Sequence, residues 1–139
     1  MTTVLAFGTF DILHPGHLSY LKQAKELGKQ LVVIVATDHN VEKIKGKKPV
    51  NDQEHRKELV EALEIVDEAF VGFEDDMMKS VEKVNPDIVA LGYDQFGSEE
   101  KLKQKFEERN IKAKIVRLES YKPELYKSSK IKDKVKKHV

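Results

Sequence analysis

Two of the chain's five histidines, His14 and His17, stand three residues apart in the segment GTFDILHPGH at residues 8–17. At helical spacing this puts both imidazoles on one side of a turn. Two ring N–H groups aimed at one place can donate to a single phosphate, and their donation strengthens as negative charge builds in a transition state. Pro15 suits the first position of a helix, and Gly16 lets a ligand approach the backbone. A helix beginning there offers unpaired N–H groups and a partial positive charge, both favourable to an anion. Thr9 and the backbone around Phe10 are placed to contact the same group. The alternatives are a metal pair, for which no third ligand has the right spacing, and ordinary capping or surface histidines.

Such residues need a rigid frame. The apolar runs TVLAF (3–7), LVVIVAT (31–37), EAFVG (68–72), DIVALG (87–92) and AKIVRL (113–118) read as strands. The periodicity between them predicts helices over 15–27, 53–64, 77–84, 99–109 and 128–137. Gly28 falls where the first helix should end, and Asn85-Pro86 should stop the third. Strands alternating with helices imply βαβ units. Runs apolar on both faces imply a sheet covered on both sides. The expected fold is therefore α/β, a Rossmann-like single domain over residues 1–139 with a five-stranded parallel sheet and helices on both faces. Ligands of such sheets lie outside the carboxyl ends of the strands. The residues after each strand are accordingly the ones to inspect: 8–17, 37–48, 72–76, 92–96 and 119–129. Among them Asp94, in LGYDQ, has the position to accept hydrogen bonds from a ribose or an adenine amino group, or else to shape a turn. Tyr121 is placed to contact or stack on a base.

Composition narrows the classes. The chain has no cysteine, which excludes disulfide frameworks, zinc ribbons and thiol nucleophiles. No apolar run approaches the roughly 20 residues that span a bilayer, and no signal peptide is visible, so no membrane partner and a cytoplasmic location are expected. The net charge of +1 argues against a dedicated nucleic-acid binder. Seven lysines against Glu124 and Asp133 after Tyr121 are either an anion-facing surface or a solvated helix face.

The combination of strand, GTFD, HPGH and helix resembles the HxGH nucleotidyltransferase superfamily, the cytidylyltransferase-like enzymes. That resemblance implies transfer of a nucleotidyl group from a nucleoside triphosphate to a phosphorylated acceptor, with pyrophosphate released. It assigns triphosphate binding and transition-state stabilisation to His14 and His17. It points to Lys47 and Lys48, in KIKGKKPV, as phosphate contacts, and to Arg56, in NDQEHRKELVEAL, at the acceptor or a subunit interface, with a structural role for Arg56 the equal alternative. It also points to Ser128 and Ser129, in YKSSKI, as remnants of a phosphate-binding Ser/Thr motif. GTFDILHPGHLSYLKQAKELG, PVNDQEHRKELVEAL and LGYDQ are most similar to the archaeal FAD synthases, which are FMN adenylyltransferases. The substrates so implied are ATP and FMN, with a divalent cation, Mg²⁺ by preference, held chiefly by phosphates and water. Relatives are often homodimers. Glycerol-3-phosphate cytidylyltransferases and heptose-phosphate adenylyltransferases are similar too, although GYDQ stands in this chain where cytidylyltransferases tend to have GDDW. A nucleotide-binding sensor module that catalyses nothing is the alternative from another class.

Overall fold

The computed structural model describes residues 2–93, 95 and 98–119. Within them five strands, β1 (Thr3–Gly8), β2 (Gln30–Val35), β3 (Glu68–Val71), β4 (Ile88–Leu91) and β5 (Lys114–Arg117), alternate with helices α1 (Pro15–Glu26), α2 (Asp38–Lys45), α3 (Gln53–Glu61), α4 (Met77–Val84) and α5 (Glu99–Glu108). All strand pairs are parallel and the order is β3-β2-β1-β4-β5. The α/β Rossmann-like architecture expected from the sequence is thus the one observed.

The two-residue period of β1 divides the core. Val4 and Ala6 face Leu21 and Ala24 of α1 and Val60 of α3. Leu5 and Phe7 face Met78 and Val81 of α4 and Leu102 and Phe106 of α5. Each face of the sheet is therefore sealed by a pair of helices, as a parallel sheet requires. From β1 the chain moves outward through β2 to β3, then returns across the sheet to β4. The strand order reverses between β1 and β4, where open sheets of this kind bind their ligands.

The β1–β4 ladder runs from Val4↔Ile88 to Ala6↔Ala90, and beyond it the strands part. Side chains take over the main-chain partners there. Phe7 N donates to Tyr20 Oη at 3.1 Å, and Tyr20 Oη donates to Ala90 O at 2.7 Å. Gln95 Nε2 donates to Phe7 O at 2.9 Å, and its Oε1 accepts from Gly92 N at 2.8 Å. Burial pushes the Tyr20 phenol well above its usual range, so it stays protonated and able to donate. We expect Tyr20→Phe, which strips partners from both strands, to destabilise the protein by about 2 kcal/mol in urea melts. An unchanged melt would mean that these bonds contribute nothing.

Two details differ from expectation. The segment 37–48 reads as loop in the sequence, but most of it is α2. Thr37 Oγ1 caps this helix by accepting from Asn40 N at 3.1 Å, and Gly46 ends it in the left-handed region with φ 76°. Only Val41 of this helix is buried, so it has no apolar stripe for a periodicity search to find. Gly28 does follow α1, but for closeness rather than for a left-handed cap: a Cβ there would fall 2.8 Å from Thr2 O. Asn85 ends α4 as expected, at φ 50°. The helix expected over 128–137 lies outside the described residues.

Candidate active site

The site begins where β1 ends. Phe10 adopts φ 50°, a left-handed turn uncommon for an aromatic residue, and its buried ring folds back over Gly8. A Cβ on Gly8 would fall 2.5 Å from that ring, so glycine is needed there. The turn aims Asp11 inward. Its carboxylate is 1% exposed and accepts from Val50 N and Asn51 N, each at 2.8 Å. Asn51 Nδ2 returns a bond to Asp11 O at 2.6 Å. These three bonds staple the segment after α2, with Lys47 and Lys48 exposed on it, to the turn after β1.

Pro15 opens α1 as expected, with His14 as its cap. His14 Nδ1 accepts from Gly16 N at 3.1 Å, so in the neutral ring the proton lies on Nε2. The His14 and His17 rings stack, centroids 3.9 Å apart at 28°. The edge-on ring of Phe10, 5.3 Å from His17, fixes the second imidazole from the other side. The spacing predicts these two histidines on one side of a turn, and the structure brings them together.

The helix terminus itself is not as the sequence suggests. Pro15 has no N–H, Gly16 N is taken by the His14 side chain, and His17 N donates to His14 O at 3.0 Å. The first turn thus offers an anion its dipole and its imidazoles rather than a row of open amides.

Both rings are held neutral. Burial lowers the His14 pKa. For His17, burial first, then the charges of His14 and Lys45, lower it from 6.5 to about 3, with the Ile12 backbone opposing. His17 Nδ1 is buried without a hydrogen-bond partner among the described residues. A buried polar atom left so is a cost that a ligand can relieve. A neutral His17 in the fold and a protonated one in the unfolded chain make stability fall as acid is added. The full contribution is present above pH 6.5 and declines as the pH drops from there toward about 3. We expect up to about 1.4 kcal/mol lost per pH unit from this one group in denaturant melts. His17→Gln should flatten the curve between pH 6.5 and roughly 4.5; an equally steep curve would show that another group titrates there.

Other sequence-predicted residues fare differently. Lys45, on α2, is close enough for its charge to act on His17, although the sequence pattern favours Lys47 and Lys48. A signal for it is present: in a helix, Lys45 follows buried Val41 by four positions and shares its face. Arg56 is not at an open surface. It is 0% exposed, and it donates to Thr9 O at 2.7 Å, Asn51 O at 2.9 Å and Asp38 Oδ1 at 2.7 Å. Of the roles the sequence leaves open for it, the structure supports the structural one, a strut that holds three segments of the site's rim, because a side chain with no exposed surface has no face left for an acceptor phosphate. Thr9 is half-buried beside it, its carbonyl turned toward Arg56. Asp94, Tyr121, Ser128 and Ser129 lie outside the described residues. Among the described residues no group of three or more His, Asp or Glu converges as a metal cage, and no helix is long and apolar enough to cross a membrane.

Comparison with known proteins agrees with this geometry. The cytidylyltransferase-like family profile matches residues 5–134. An FAD synthase of Ferroglobus placidus is 48% identical over 97% of this chain and 88% of its own length. That of Thermoplasma acidophilum is 46% identical over 97% of this chain and 94% of its own. A crystal structure from Thermoplasma volcanium, described as a lipopolysaccharide core biosynthesis protein, superposes with a TM-score of 0.83 at 48% identity, covering 87% of this chain and 98% of that one. By profile, sequence and fold alike, the chain belongs to the cytidylyltransferase-like family of nucleotidyltransferases, together with these FAD synthases.

Proposed function

We propose that the protein transfers AMP from ATP to FMN, giving FAD and pyrophosphate, in the cytoplasm. The observation that carries this reading is the stacked, neutral His14–His17 pair at the start of α1 with the Lys45 charge beside it. The identity to FAD synthases supports FMN as the acceptor.

An FMN phosphate oxygen attacks the α-phosphorus of ATP. The bond from that phosphorus to the bridging oxygen breaks, and pyrophosphate leaves with the electron pair. The attacking phosphate is largely dianionic near neutral pH, its second pKa being about 6, so no general base is required. The protein's work is positioning and charge neutralisation. His14 Nε2–H and the His17 ring donate to the polyphosphate, and Lys45, Lys47 and Lys48 supply positive charge. Thr9, the Phe10 backbone, Pro15 and Gly16 line the approach. Asp94 and Tyr121 serve the nucleotide, and Ser128 and Ser129 a phosphate. A divalent cation, Mg²⁺ by preference, supplies further neutralisation of the triphosphate. The residues of the site fit a cation brought in on the phosphates, for the neutral imidazoles serve as donors to the same oxygens.

The test is a panel of ATP or CTP against FMN, glycerol 3-phosphate and a sugar 1-phosphate, each scored for pyrophosphate. The sugar phosphate is included because of the lipopolysaccharide description carried by the Thermoplasma volcanium relative. Pyrophosphate with ATP and FMN is expected. Release only with CTP and glycerol 3-phosphate would overturn the reading, and none with any pair would favour a binding module.

A further inference from the structure

The parting of β1 and β4 is tied across by two side chains, and they do different things. Tyr20 reaches it from α1 and joins strand to strand, Phe7 N to Ala90 O. Gln95 belongs to the segment that follows β4, and it joins that segment to β1. Its carboxamide accepts from Gly92 N at 2.8 Å and donates to Phe7 O at 2.9 Å, one residue before Gly8 and the turn that leads to the histidines. Its own backbone closes the turn, Gln95 N donating to Gly92 O at 3.1 Å. Arg117 at the end of β5 fastens the same turn from outside, with Nη1 donating to Gly92 O at 2.9 Å and to Gln95 O at 2.5 Å. Arg117 is itself steadied by Glu99 at 3.0 Å. The Gln95 side chain also lies against Gly92, its nearest atoms 3.4 Å from where a Cβ would stand.

The geometry points to Gln95 as a positioning residue for the nucleotide: its carboxamide fixes the turn after β4 against the end of β1, and so places Tyr93 relative to the histidine pair. This rests on the reading that ATP lies across the β1–β4 parting with its polyphosphate at α1. A nucleotide resting on the turn after β4 binds more weakly when that turn is no longer held against β1, because binding must then supply the ordering itself. The β1–β4 ladder stops at Ala6, and at Phe7 this carboxamide and the Tyr20 hydroxyl stand in for it. Gln95 is the link that belongs to the nucleotide side, and Tyr20 the one that does not.

The experiment compares Gln95→Met, Gln95→Glu and Tyr20→Phe in steady-state kinetics, with melting temperatures measured alongside. Gln95→Met removes both bonds at nearly constant volume. Gln95→Glu keeps an acceptor for Gly92 N but has no donor for Phe7 O. We expect both Gln95 variants to raise KM for ATP roughly tenfold or more, leaving KM for FMN and kcat at saturating ATP within about twofold. Tyr20→Phe should lower the melting temperature without moving KM for ATP, which separates positioning from general loosening of the junction. If Gln95→Met does not fold, Gln95→Glu carries the comparison alone. KM for ATP within about twofold of wild type in the folded Gln95 variants overturns the inference while the activity stands. A rise in KM for FMN alone overturns the placement of ATP across the parting instead.

Discussion

His17→Ala should lower kcat at least about a hundredfold with ATP saturating, while the protein keeps its fold. The size follows from what the ring is positioned to do. Donors preorganised toward developing charge in a partly dry site cost about 3–4 kcal/mol of transition-state stabilisation when removed. His17 fits that description: it is clamped between the stacked His14 ring and the edge of Phe10, largely buried and kept neutral. The rise in KM for ATP should be smaller than the fall in kcat, since a donor that tightens mainly in the transition state weighs more on turnover than on ground-state binding. Stability should not suffer equally, for alanine at this position loses the ring's bond to the Ile12 backbone but also removes a buried Nδ1 that has no partner among the described residues. Turnover within about tenfold of wild type under saturating ATP would remove His17 from the chemistry.

Arg56→Ala should destabilise the protein more than either His17→Ala or Tyr20→Phe, by about 3–5 kcal/mol. Its guanidinium holds Thr9 O after β1, Asn51 O before α3 and Asp38 Oδ1 at the start of α2. Truncation leaves the Thr9 and Asn51 carbonyls facing a void without their donor, and buried acceptors so left cost heavily, while the Asp38 carboxylate, 41% exposed, turns to water. Lysine would not rescue it, because a single ammonium cannot reproduce a fork aimed at three acceptors. A fall in melting temperature of roughly 10–20 °C is expected by scanning calorimetry, with Arg56→Lys close behind. A shift under about 3 °C would show that the rim holds itself together without this strut. Because Thr9 adjoins Phe10, and Phe10 braces His17, some loss of turnover should accompany the loss of stability.

The contrast between these two residues marks what can be read in the sequence. His14 and His17 are legible because their chemistry and spacing are local: a strand, a tight turn, and two rings three positions apart on a new helix. The sheet is legible because its strands are apolar on both faces, and α4 because its stripe is strong and Asn85-Pro86 ends it. Arg56 is legible only as a choice between an acceptor or interface contact and a structural role, because its partners, 5, 18 and 47 residues away, are what decide it. Asp11 is visible within GTFD, but its task of holding Val50 and Asn51 is set by contacts 39 and 40 residues distant. Lys45 escapes notice with α2, a helix that buries one side chain. Gln95 is visible as the last residue of LGYDQ, but its task is not, since an amide that replaces a missing strand partner is defined only by where the strands separate.

By capping α1 with its own ring, His14 makes the helix start self-sufficient. A terminus crowded with unanswered amides would trap whatever small anion the surrounding solution offered, and would also hold on to the pyrophosphate it had just released. In this chain the Gly16 amide is already answered, and the nearby imidazoles are uncharged at neutral pH. Stray phosphate should therefore be a poor competitor, and the departing product should meet little resistance on its way out. The grip is reserved for a longer polyphosphate that can reach both rings and the lysines together. Inhibition by inorganic phosphate, titrated against that by pyrophosphate, would reveal whether the pocket is as indifferent to small anions as this cap implies.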